Sequence, residues 1–284
     1  DCFSKCACQV GRQPGRTGTC RDSGSQKAHG EKVTRSERKE IMITEAVILA
    51  AGQGTRIRVT SGDRPKPLVE VGGRSLLEIG VENLLASGIE KIVVVVGYEH
   101  QQVREHVAAR PWRDRIVFVQ NDEWKKENGL SVYAARTALS GEHFFVQMVD
   151  HIFDPGVYAR AMQAGLRGGA SYLCIDRDIP AVHDLDDATK LVVEPDSSIS
   201  SIAKMLPEFN AVDTGLFVMS RRIFDFFGQA IAEGRNTISH SVQDAGRAGA
   251  FFTIDVTGSS WIDVDTEEAW HEAVRRHAAG QASG

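Results

Sequence analysis

The chain has 284 residues, of which 42% are hydrophobic and 25% charged, an ordinary balance for a globular protein that buries a substantial core. It contains no run of eighteen apolar residues, so no membrane span is expected. The net charge of −5 is uneven, because residues 1–40 carry +4 and the remainder carries −9, and an acidic body disfavours nucleic acid as the partner.

Residues 1–41 differ in composition from the rest of the chain. A zinc site or a disulfide cluster is one interpretation, since His29 and four of the five cysteines lie there: Cys2, Cys6, Cys8 and Cys20. However, their spacing matches no paired zinc knuckle, and the segment lacks both a metal-binding core and the apolar stretch of a secretory signal. We therefore predict a disordered basic tail, Met42 as a candidate start, a folded domain over 42–284 and a reduced, cytoplasmic setting.

The first predicted strand, Ala46–Ala51, leads directly into the segment Gly52-Gln53-Gly54-Thr55-Arg56 and then into Pro65-Lys66-Pro67. Glycine has no Cβ, so the backbone can approach an anion closely, while Arg56 and Lys66 supply positive charge. Two glycines alone would equally suit a tight turn, and the spacings of a Walker loop and of a dinucleotide-binding fold are absent. Together with the two cations, the segment predicts a phosphate site at the end of this strand.

Strands and helices alternate in the first half of the predicted domain. Ser75 is expected to cap a helix that continues to about Ala86. The elements that follow are strands at Lys91–Gly97, Arg115–Gln120 and Phe144–Val149 and helices at 99–109 and Leu130–Leu139. This alternation predicts a parallel sheet covered on both faces, with the ligand at the carboxyl ends of the strands.

The second half has a different pattern. We predict strands at Ser171–Asp176 and Val212–Ser220, a hairpin of Lys190–Val193 and Ile199–Ala203, helices near 221–228 and 236–247, and a last helix at Thr266–His277 capped by Thr266. Phe251–Val256 and Trp261–Val264 are expected to close the sheet, and Cys174 to lie in the core. The fold class predicted is a single three-layer α/β domain with a mixed, mostly parallel sheet.

Three aspartates are candidate metal ligands. Asp150 follows the Phe144–Val149 strand, and Asp154 is the better helix cap before Pro155, which leaves Asp150 free for Mg²⁺. Asp263 and Asp265 lie two apart in an extended stretch and face one side, where two carboxylates repel unless a cation holds them. Asp265 could instead cap the last helix, so Asp263 is the stronger candidate.

A polar loop precedes the Leu130–Leu139 helix and contains Asn128, Gly129 and Ser131. Ordinary turn and cap chemistry would explain it. Because the loop leaves a strand on the carboxyl side, its polar groups are also placed to reach a base held above Ala50, Ala51 and Gly52.

The motif LAAGQGTR followed by PKPL resembles the signature of the sugar-phosphate nucleotidylyltransferases, which join a nucleoside triphosphate to a phosphorylated small molecule and release pyrophosphate. The motifs VDHIFDP, ATKLVVE, FNAVDTGLFVM and WIDVDTEEAW narrow the resemblance to the cytidylyltransferase domain of the enzymes that make CDP-inositol, over about residues 43–277. The resemblance implies a Rossmann-like nucleotidyltransferase domain of GT-A type. In that family the domain is often fused to a membrane-embedded domain, and this chain is expected to be a stand-alone version.

The resemblance also implies a role for each candidate residue. Arg56, Lys66 and Asp150 would be catalytic, and the magnesium ligands would be Asp150 and Asp263, with Asp265 beside them. The triphosphate loop would consist of Gly52, Gly54, Thr55 and Arg56; the base-side loop of Asn128, Gly129 and Ser131; and the acceptor site of Lys190, Asp213 and Thr214. The polar insertion Val59–Arg64 departs from compact members of the family and leaves the geometry of the phosphate loop open.

The implied reaction is transfer of CMP from CTP to inositol 1-phosphate, by in-line attack of the acceptor phosphate on the α-phosphorus, with Mg²⁺ as cofactor. The alternatives are another acceptor (phosphocholine, a phosphonate or a hexose 1-phosphate) or a catalytically inactive sugar-nucleotide sensor. The combination of Arg56, Lys66, Asp150 and Asp263 favours an enzyme. The partners expected are CTP and the acceptor, without nucleic acid or membrane, and a homodimer is one option for the assembly.

Overall fold

A computed structural model describes residues 41–57 and 64–282, with side chains as far as residue 278. The predicted tail up to residue 40, with its four cysteines and His29, lies outside the described residues. So does most of the Val59–Arg64 insertion. In the ranges described, no helix combines the length and apolar character that crossing a bilayer requires.

The described elements alternate much as the sequence predicts. The strands are β1 (Glu45–Ala50), β2 (Glu70–Val71), β3 (Arg74–Ser75), β4 (Lys91–Val96), β5 (Ile116–Gln120), β6 (His143–Met148), β7 (His151–Phe153), β8 (Ser171–Asp176), β9 (Lys190–Val193), β10 (Ile199–Ala203), β11 (Ala211–Ser220), β12 (Phe251–Asp255) and β13 (Trp261–Asp263). The helices are α1 (Leu76–Ala86), α2 (His100–Ala108), α3 (Asn128–Ala134), α4 (Gly156–Gln163), α5 (Ile223–Ala232), α6 (Ile238–Arg247) and α7 (Glu267–Ala282).

Nine of the described strands form one mixed sheet in the order β10-β9-β11-β6-β1-β4-β5, with β8 paired to β11 and β12 paired to β8. Strands β6, β1, β4 and β5 are parallel, whereas β11 runs antiparallel to β6, β8 and β9. The predicted α/β class with a mixed sheet is confirmed. The parallel strands all end at one edge of the sheet, which is where ligands bind in this architecture.

The sheet has a hydrophobic core on each face, as the alternation along β1 shows. Ile48 packs with residues of α1, α2 and α4 on one face, and Val47 and Leu49 pack with residues of α3, α5 and α6 on the other. All three side chains are at most 5% exposed. Cys174 is a free, buried thiol of the first core, as predicted.

Helix α1 begins where the sequence predicts. Ser75 Oγ accepts a hydrogen bond from Glu78 N at 3.1 Å, and Glu78 Oε2 accepts one from Ser75 N at 2.7 Å, which is a complete capping box. Asn83 of the same helix donates to the carbonyl oxygen of Phe153 at 2.9 Å. Helix α1 therefore helps to fix β7, the strand that begins at His151.

The predicted position of Trp261–Val264 is wrong. The observed strand, Trp261–Asp263, does not close the main sheet but pairs antiparallel with β7 in a separate ribbon. Ile262 and Val264 pack in a third apolar cluster with Ile57 and other residues near the phosphate loop. This packing explains the difference, because Ile262 and Val264 are buried in that cluster, whereas Phe153 and Trp261 of the ribbon pack with the first core.

Two further elements differ from the prediction. The helix expected at Leu130–Leu139 begins earlier, at Asn128, and gives way to a 3-10 turn at Ala135–Thr137. Helix α4 was predicted only by its start, with Asp154 as the cap before Pro155, and the structure gives its extent as Gly156–Gln163. Asp154 accepts a hydrogen bond from Gly156 N at 2.7 Å, in the capping role expected of it.

Candidate active site

A cleft of about 540 Å³ opens at the carboxyl edge of the parallel strands. Arg56, which follows β1, and Asp150, which follows β6, both line it, together with Asp263 and Asp265 from the β13 segment. The β7–β13 ribbon brings the last two residues to this edge, because Asp263 is paired with His151 in the register of the two strands. Residues far apart in sequence thus meet at one site.

Lys66 is the buried cation of this site and is 7% exposed. Its Nζ donates to Asp150 Oδ2 at 2.5 Å and also pairs with a carboxylate oxygen of Asp265. Gly54 packs against the aliphatic part of the Lys66 side chain, and its φ is +62°. A Cβ on Gly54 would lie 2.5 Å from the Lys66 Cβ. Gly54 is therefore required both by its backbone conformation and by the close approach of the lysine.

Arg56 extends the network on the solvent side of Lys66. Its guanidinium pairs with Asp265 and donates to Asp187 Oδ2 at 2.8 Å, while the other oxygen of Asp187 accepts from Lys204 Nζ at 2.7 Å. Asp187 thus joins two cations of the cleft. Neither Asp187 nor Lys204 lies in a motif, and only the folded structure brings them to Arg56.

His151 lies deeper, between carboxylates. Its Nδ1 is 2.8 Å from Asp150 Oδ1 and 3.8 Å from Asp263 Oδ1. Burial alone would lower the pKa of His151, but the surrounding carboxylates, Asp263 and Asp150 foremost, outweigh it and raise the pKa to about 9. The ring rests against Gly215, whose φ is +76° and whose Cβ, if present, would lie 2.5 Å from the histidine Cδ2.

The carboxylates of the site have opposite pKa shifts. Burial works to raise the pKa of Asp150, but Lys66 and His151 outweigh it and hold that pKa well below its usual range. Burial raises the pKa of Asp263, although the nearby His151 opposes this. Burial likewise raises the pKa of Asp213 to about 6, even though Gly215 N donates to Asp213 Oδ1 at 2.7 Å.

Asp150, His151 and Asp263 also form the candidate metal centre. One potential ligand atom from each lies within 4.8 Å of the other two. Asp263 Oδ1 is buried without a hydrogen-bond donor, an arrangement that is costly for a carboxylate unless a cation approaches it. Carboxylate oxygens are the ligands that hard divalent cations prefer, so Asp150 and Asp263 fit such an ion, and His151 pairs with Asp150.

The predicted nucleotide-binding residues divide into two groups. Ala50 and Ala51 are buried at the end of β1, whereas Gly52 and Thr55 are accessible beside Arg56. Gly52 has open space where a Cβ would be. This places an unobstructed stretch of backbone at the strand end, as expected for a phosphate loop.

Of the predicted base-side residues, the structure brings Asn128 to the cleft. Its Oδ1 accepts from Ile238 N at 3.0 Å, so it also caps the start of α6. Gly129 instead lies against the Asn236 carbonyl group. A Cβ on Gly129 would be 2.4 Å from that carbonyl oxygen. Ser131 is buried and accepts from Asn121 Nδ2 at 2.9 Å. Gly129 and Ser131 therefore make contacts inside the fold, and their role at the base stays a prediction.

The predicted acceptor residues also lie in different surroundings. Asp213 lines the cleft, but the side chains of Lys190 and Thr214 do not. Lys190 Nζ is held by backbone carbonyl groups, at 2.7 Å from Leu185 O and at 3.2 Å from Ala188 O, with further carbonyl contacts to residues 186 and 204. Thr214 is fully buried and donates to Cys174 O at 2.9 Å. Their hydrogen-bonding capacity is used inside the fold.

Trp261 is a cleft residue to which the sequence analysis gave no site role. Its indole Nε1 donates to Asp176 Oδ2 at 2.9 Å, and its ring is parallel to that of His151 with centroids 6.3 Å apart. The motif WIDVDT contained it, but no spacing rule connects residue 261 with residue 176. Such contacts become visible only in the folded chain.

Comparison with known proteins gives consistent matches. Residues 46–213 match the family model described as the MobA-like NTP transferase domain. The chain is 34% identical over 230 residues to the "Bifunctional IPC transferase and DIPP synthase" of Thermococcus kodakarensis, covering 81% of this chain and 50% of the relative. A protein of the same name from Rubrobacter xylanophilus is 36% identical over 227 residues, with 78% and 49% covered.

Among solved structures, the inositol-1-phosphate CTP transferase from T. maritima superposes with a TM-score of 0.71 at 23% identity, over 82% of this chain and 96% of that one. At this identity the match supports the fold. This chain spans about half the length of the curated relatives it matches.

Proposed function

The chain belongs to the MobA-like NTP transferase family, and we propose that it transfers CMP from CTP to a phosphorylated polyol, with inositol 1-phosphate as the acceptor. The products would be CDP-inositol and pyrophosphate. The observation that carries the proposal is the similarity, at 34% and 36% identity, to two proteins whose names include an IPC transferase. The name of the structural neighbour, an inositol-1-phosphate CTP transferase, supports the same substrates.

The cations at the carboxyl edge suit a triphosphate. Arg56 and Lys66 follow β1, and both contact Asp265, with further bonds to Asp187 and Asp150 respectively. Phosphate oxygens of CTP would replace these carboxylates as partners of the guanidinium and ammonium groups. Arg56 would hold the leaving β- and γ-phosphates, and Lys66 would steady the phosphate chain close to Asp150.

We propose Mg²⁺ as the divalent metal. Asp150 and Asp263 would hold it, with Asp265 beside them. When bound, the ion supplies positive charge against the phosphates. His151 donates to Asp150 at 2.8 Å and so orients one of the two carboxylates.

The attacking group is an oxygen of the acceptor phosphate, which forms a new bond to the α-phosphorus of CTP as the bond to pyrophosphate breaks. Both substrates are anions, so positioning and charge neutralisation dominate the rate, and no covalent nucleophile is needed. The cleft is lined by Asp178, Asp184 and Asp213, which we assign to the acceptor. Carboxylates accept hydrogen bonds from hydroxyl groups, which favours a polyol.

A pyrophosphate-release assay tests the proposal. The grid would combine CTP, UTP, GTP and ATP with inositol 1-phosphate, phosphocholine, 2-aminoethylphosphonate and glucose 1-phosphate, with and without Mg²⁺. CTP with inositol 1-phosphate and Mg²⁺ should give the highest rate. UTP should be slower by up to ~10^4, because a site built to bond the cytosine amino group leaves a buried acceptor unpaired with uracil.

Each other result would change the proposal in a defined way. A faster reaction with another acceptor would change the acceptor assignment, and equal rates with UTP would exclude cytosine selectivity. A folded protein inactive with all combinations would point to the sensor alternative. The cytoplasmic setting and the homodimer stay predictions.

A further inference from the structure

Strand β5 lies at an end of the main sheet and has a free edge. Among the described strands it pairs with β4 alone, in a register without a bulge. A free edge presents unpaired N–H and C=O groups, and proteins usually protect it with charged residues, proline or a bulge. The sequence of β5, Ile-Val-Phe-Val-Gln, contains no such residue, and Val117 is 39% exposed. This edge is therefore open to another strand.

The pairing with β4 determines which backbone groups of β5 face outward. Asn121 N donates to Val96 O at 2.8 Å, so the backbone groups of residue 121 point towards β4. Because this direction alternates along a strand, the groups of Ile116, Phe118 and Gln120 point away from the sheet. The part of the chain that the structure describes places no strand beside them.

A second copy of β5 fits this edge in an antiparallel register with a twofold axis at Phe118. Outward groups must meet outward groups, and this register uses all three outward residues of each copy. Phe118 would exchange two hydrogen bonds with Phe118 of the partner subunit, and Gln120 N would donate to the carbonyl oxygen of the partner's Ile116, twice by symmetry. Ile116 N is already bonded to Arg113 O. Four hydrogen bonds would thus join the two strands.

The side chains of β5 suit the same register. Val117 would lie opposite the partner's Val119, so an apolar neighbour would cover the exposed valine. Phe118 lies beneath the Arg104 guanidinium, whose carbon is 4.6 Å from the ring centroid. Across the twofold axis, this ring would meet the ring of the partner's Phe118. The pairing therefore removes apolar surface from water on both faces of the strand.

The charges at the two ends of β5 favour a second copy of the same chain. Arg113 and Arg115 precede the strand, Asp122 and Glu123 follow it, and all four are exposed. An antiparallel copy would bring the basic start of one strand beside the acidic end of the other, with Arg113 near Glu123 of the partner subunit. Asp114 would lie near the partner's Asp122, an exposed pair that solvent screens.

We propose that the free edge of β5 joins two copies of this chain, so that their nine-stranded sheets form one continuous sheet. The inference goes beyond the proposed function and does not depend on the identity of the substrates. Because β5 and its copy run in opposite directions, the carboxyl edges of the two sheets lie on opposite sides. The two clefts therefore open away from each other, and neither is closed by the partner.

The first test removes one outward N–H group. Analytical ultracentrifugation of the full chain over a range of concentrations should show a species of twice 31.0 kDa and give the Kd of the dimer. Gln120→Pro removes the outward N–H and keeps the groups that bond β4, whereas Gln120→Ala, the matched control, removes the side chain alone. Gln120→Pro should raise the Kd about ten- to hundredfold, because two symmetric hydrogen bonds are lost. Gln120→Ala should leave it nearly unchanged.

The second test reverses charges. Arg113→Glu and Glu123→Arg should each raise the Kd severalfold at low salt, and the double variant should recover most of the loss. Arg113 and Glu123 lie at opposite ends of one strand, so recovery must come from a contact between copies. Glu123 also pairs with Lys126 of its own chain, and for that reason the recovery, rather than the single losses, identifies the contact. Circular dichroism and melting temperatures would verify the fold of every variant.

A full chain that stays a monomer at all concentrations would overturn the proposal. If the Phe118 and Gln120 amides of that monomer exchanged hydrogen slowly, and rapidly after deletion of residues 1–40, the occupant of the edge would be the tail. A dimer whose Kd is the same in Gln120→Pro and in both charge reversals would place the interface elsewhere and equally overturn it. The pyrophosphate-release assay tests the proposed function separately from these outcomes.

Discussion

Two lysine–carboxylate pairs lie at opposite ends of β1, and their surroundings differ. At the amino end, Glu45 accepts from Lys91 Nζ at 2.6 Å, from Ser140 N and Oγ at 2.8 Å each, and from Gly141 N at 2.5 Å. At the carboxyl end, Lys66 bridges Asp150 and Asp265 beside an open cleft. There, the neighbouring Asp263 Oδ1 is buried without a donor.

The comparison shows how a structural ion pair differs from one at a functional site: in the structural pair, protein groups supply every hydrogen bond that the carboxylate needs. The oxygens of Glu45 have four donors from protein groups, so the pair is complete without any ligand. The carboxyl-end cluster concentrates negative charge where a cation or a phosphate can exchange with its present partners. We therefore expect changes to the amino-end pair to lower the free energy of unfolding, and changes to the carboxyl-end cluster to lower the turnover rate.

The largest effect is expected at the carboxyl end. Asp150→Asn and Asp263→Asn should each reduce turnover by ~10^2-fold or more, because a proposed metal ligand is lost. Steady-state rates in Mg²⁺ would measure this, with circular dichroism to verify the fold. Near-normal turnover in folded Asp150→Asn protein would contradict the assignment.

The amino-end pair should behave in the opposite way. Burial works to raise the pKa of Glu45, but Lys91 and the donors of residues 140 and 141 outweigh it and lower the pKa from 4.5 to about 2. A lowered carboxyl pKa stabilises the fold fully above pH 4.5, and this contribution is lost as the pH falls towards 2. The difference corresponds to about 3 kcal/mol in the free energy of unfolding.

Glu45→Gln should therefore lower the free energy of unfolding at pH 7 by about 3 kcal/mol and flatten its dependence on pH below 4.5. Turnover of the folded variant at pH 7 should be unchanged. Urea unfolding at several pH values, with rates measured in parallel, checks both points. A large loss of turnover in Glu45→Gln with an unchanged free energy of unfolding would contradict the structural role of the amino-end pair.

Lys190 provides an intermediate test, since its ammonium is bonded to protein groups, as the Glu45 carboxylate is, but it lies near the cleft. Lys190→Met keeps most of the side-chain volume and removes the donors to four carbonyl oxygens. The free energy of unfolding should fall by about 1–3 kcal/mol, with an unchanged acceptor KM. A raised acceptor KM without loss of stability would instead support the role that the sequence predicts.

The smallest effect concerns the support of His151. Gly215→Ala adds a Cβ at a φ of +76° and 2.5 Å from the His151 ring, whereas Gly234→Ala adds one at +77° in open space. Both should lose about 1–2 kcal/mol of stability from the backbone conformation. Only Gly215→Ala should also lower turnover, because the ring that orients Asp150 is displaced. Equal turnover in the two variants would show that the position of His151 does not matter.

The carboxyl-end residues were largely predictable from sequence. Parallel strands all end at one edge, so a motif that directly follows a strand has a known place, as for Arg56 after β1 and Asp150 after β6. The helix cap at Ser75 and the hairpin of β9 and β10 were equally local signals, and the structure contains both.

The acceptor side was less predictable for a physical reason. Its predicted residues lie on β9 and β11, where nothing in the spacing tells whether a lysine turns inward or outward. Lys190 begins β9 and Lys204 directly follows β10, yet the first is enclosed by carbonyl groups and the second reaches Asp187. The β7–β13 pairing joins residues more than 100 positions apart and has no sequence signal of its own.

The most direct test of the central claim is identification of the products by ³¹P NMR after incubation of the chain with CTP, inositol 1-phosphate and Mg²⁺. The account predicts the paired resonances of a diphosphate diester and an equal amount of free pyrophosphate. Consumption of CTP to orthophosphate alone, or a full spectrum of unchanged CTP and inositol 1-phosphate, would contradict it.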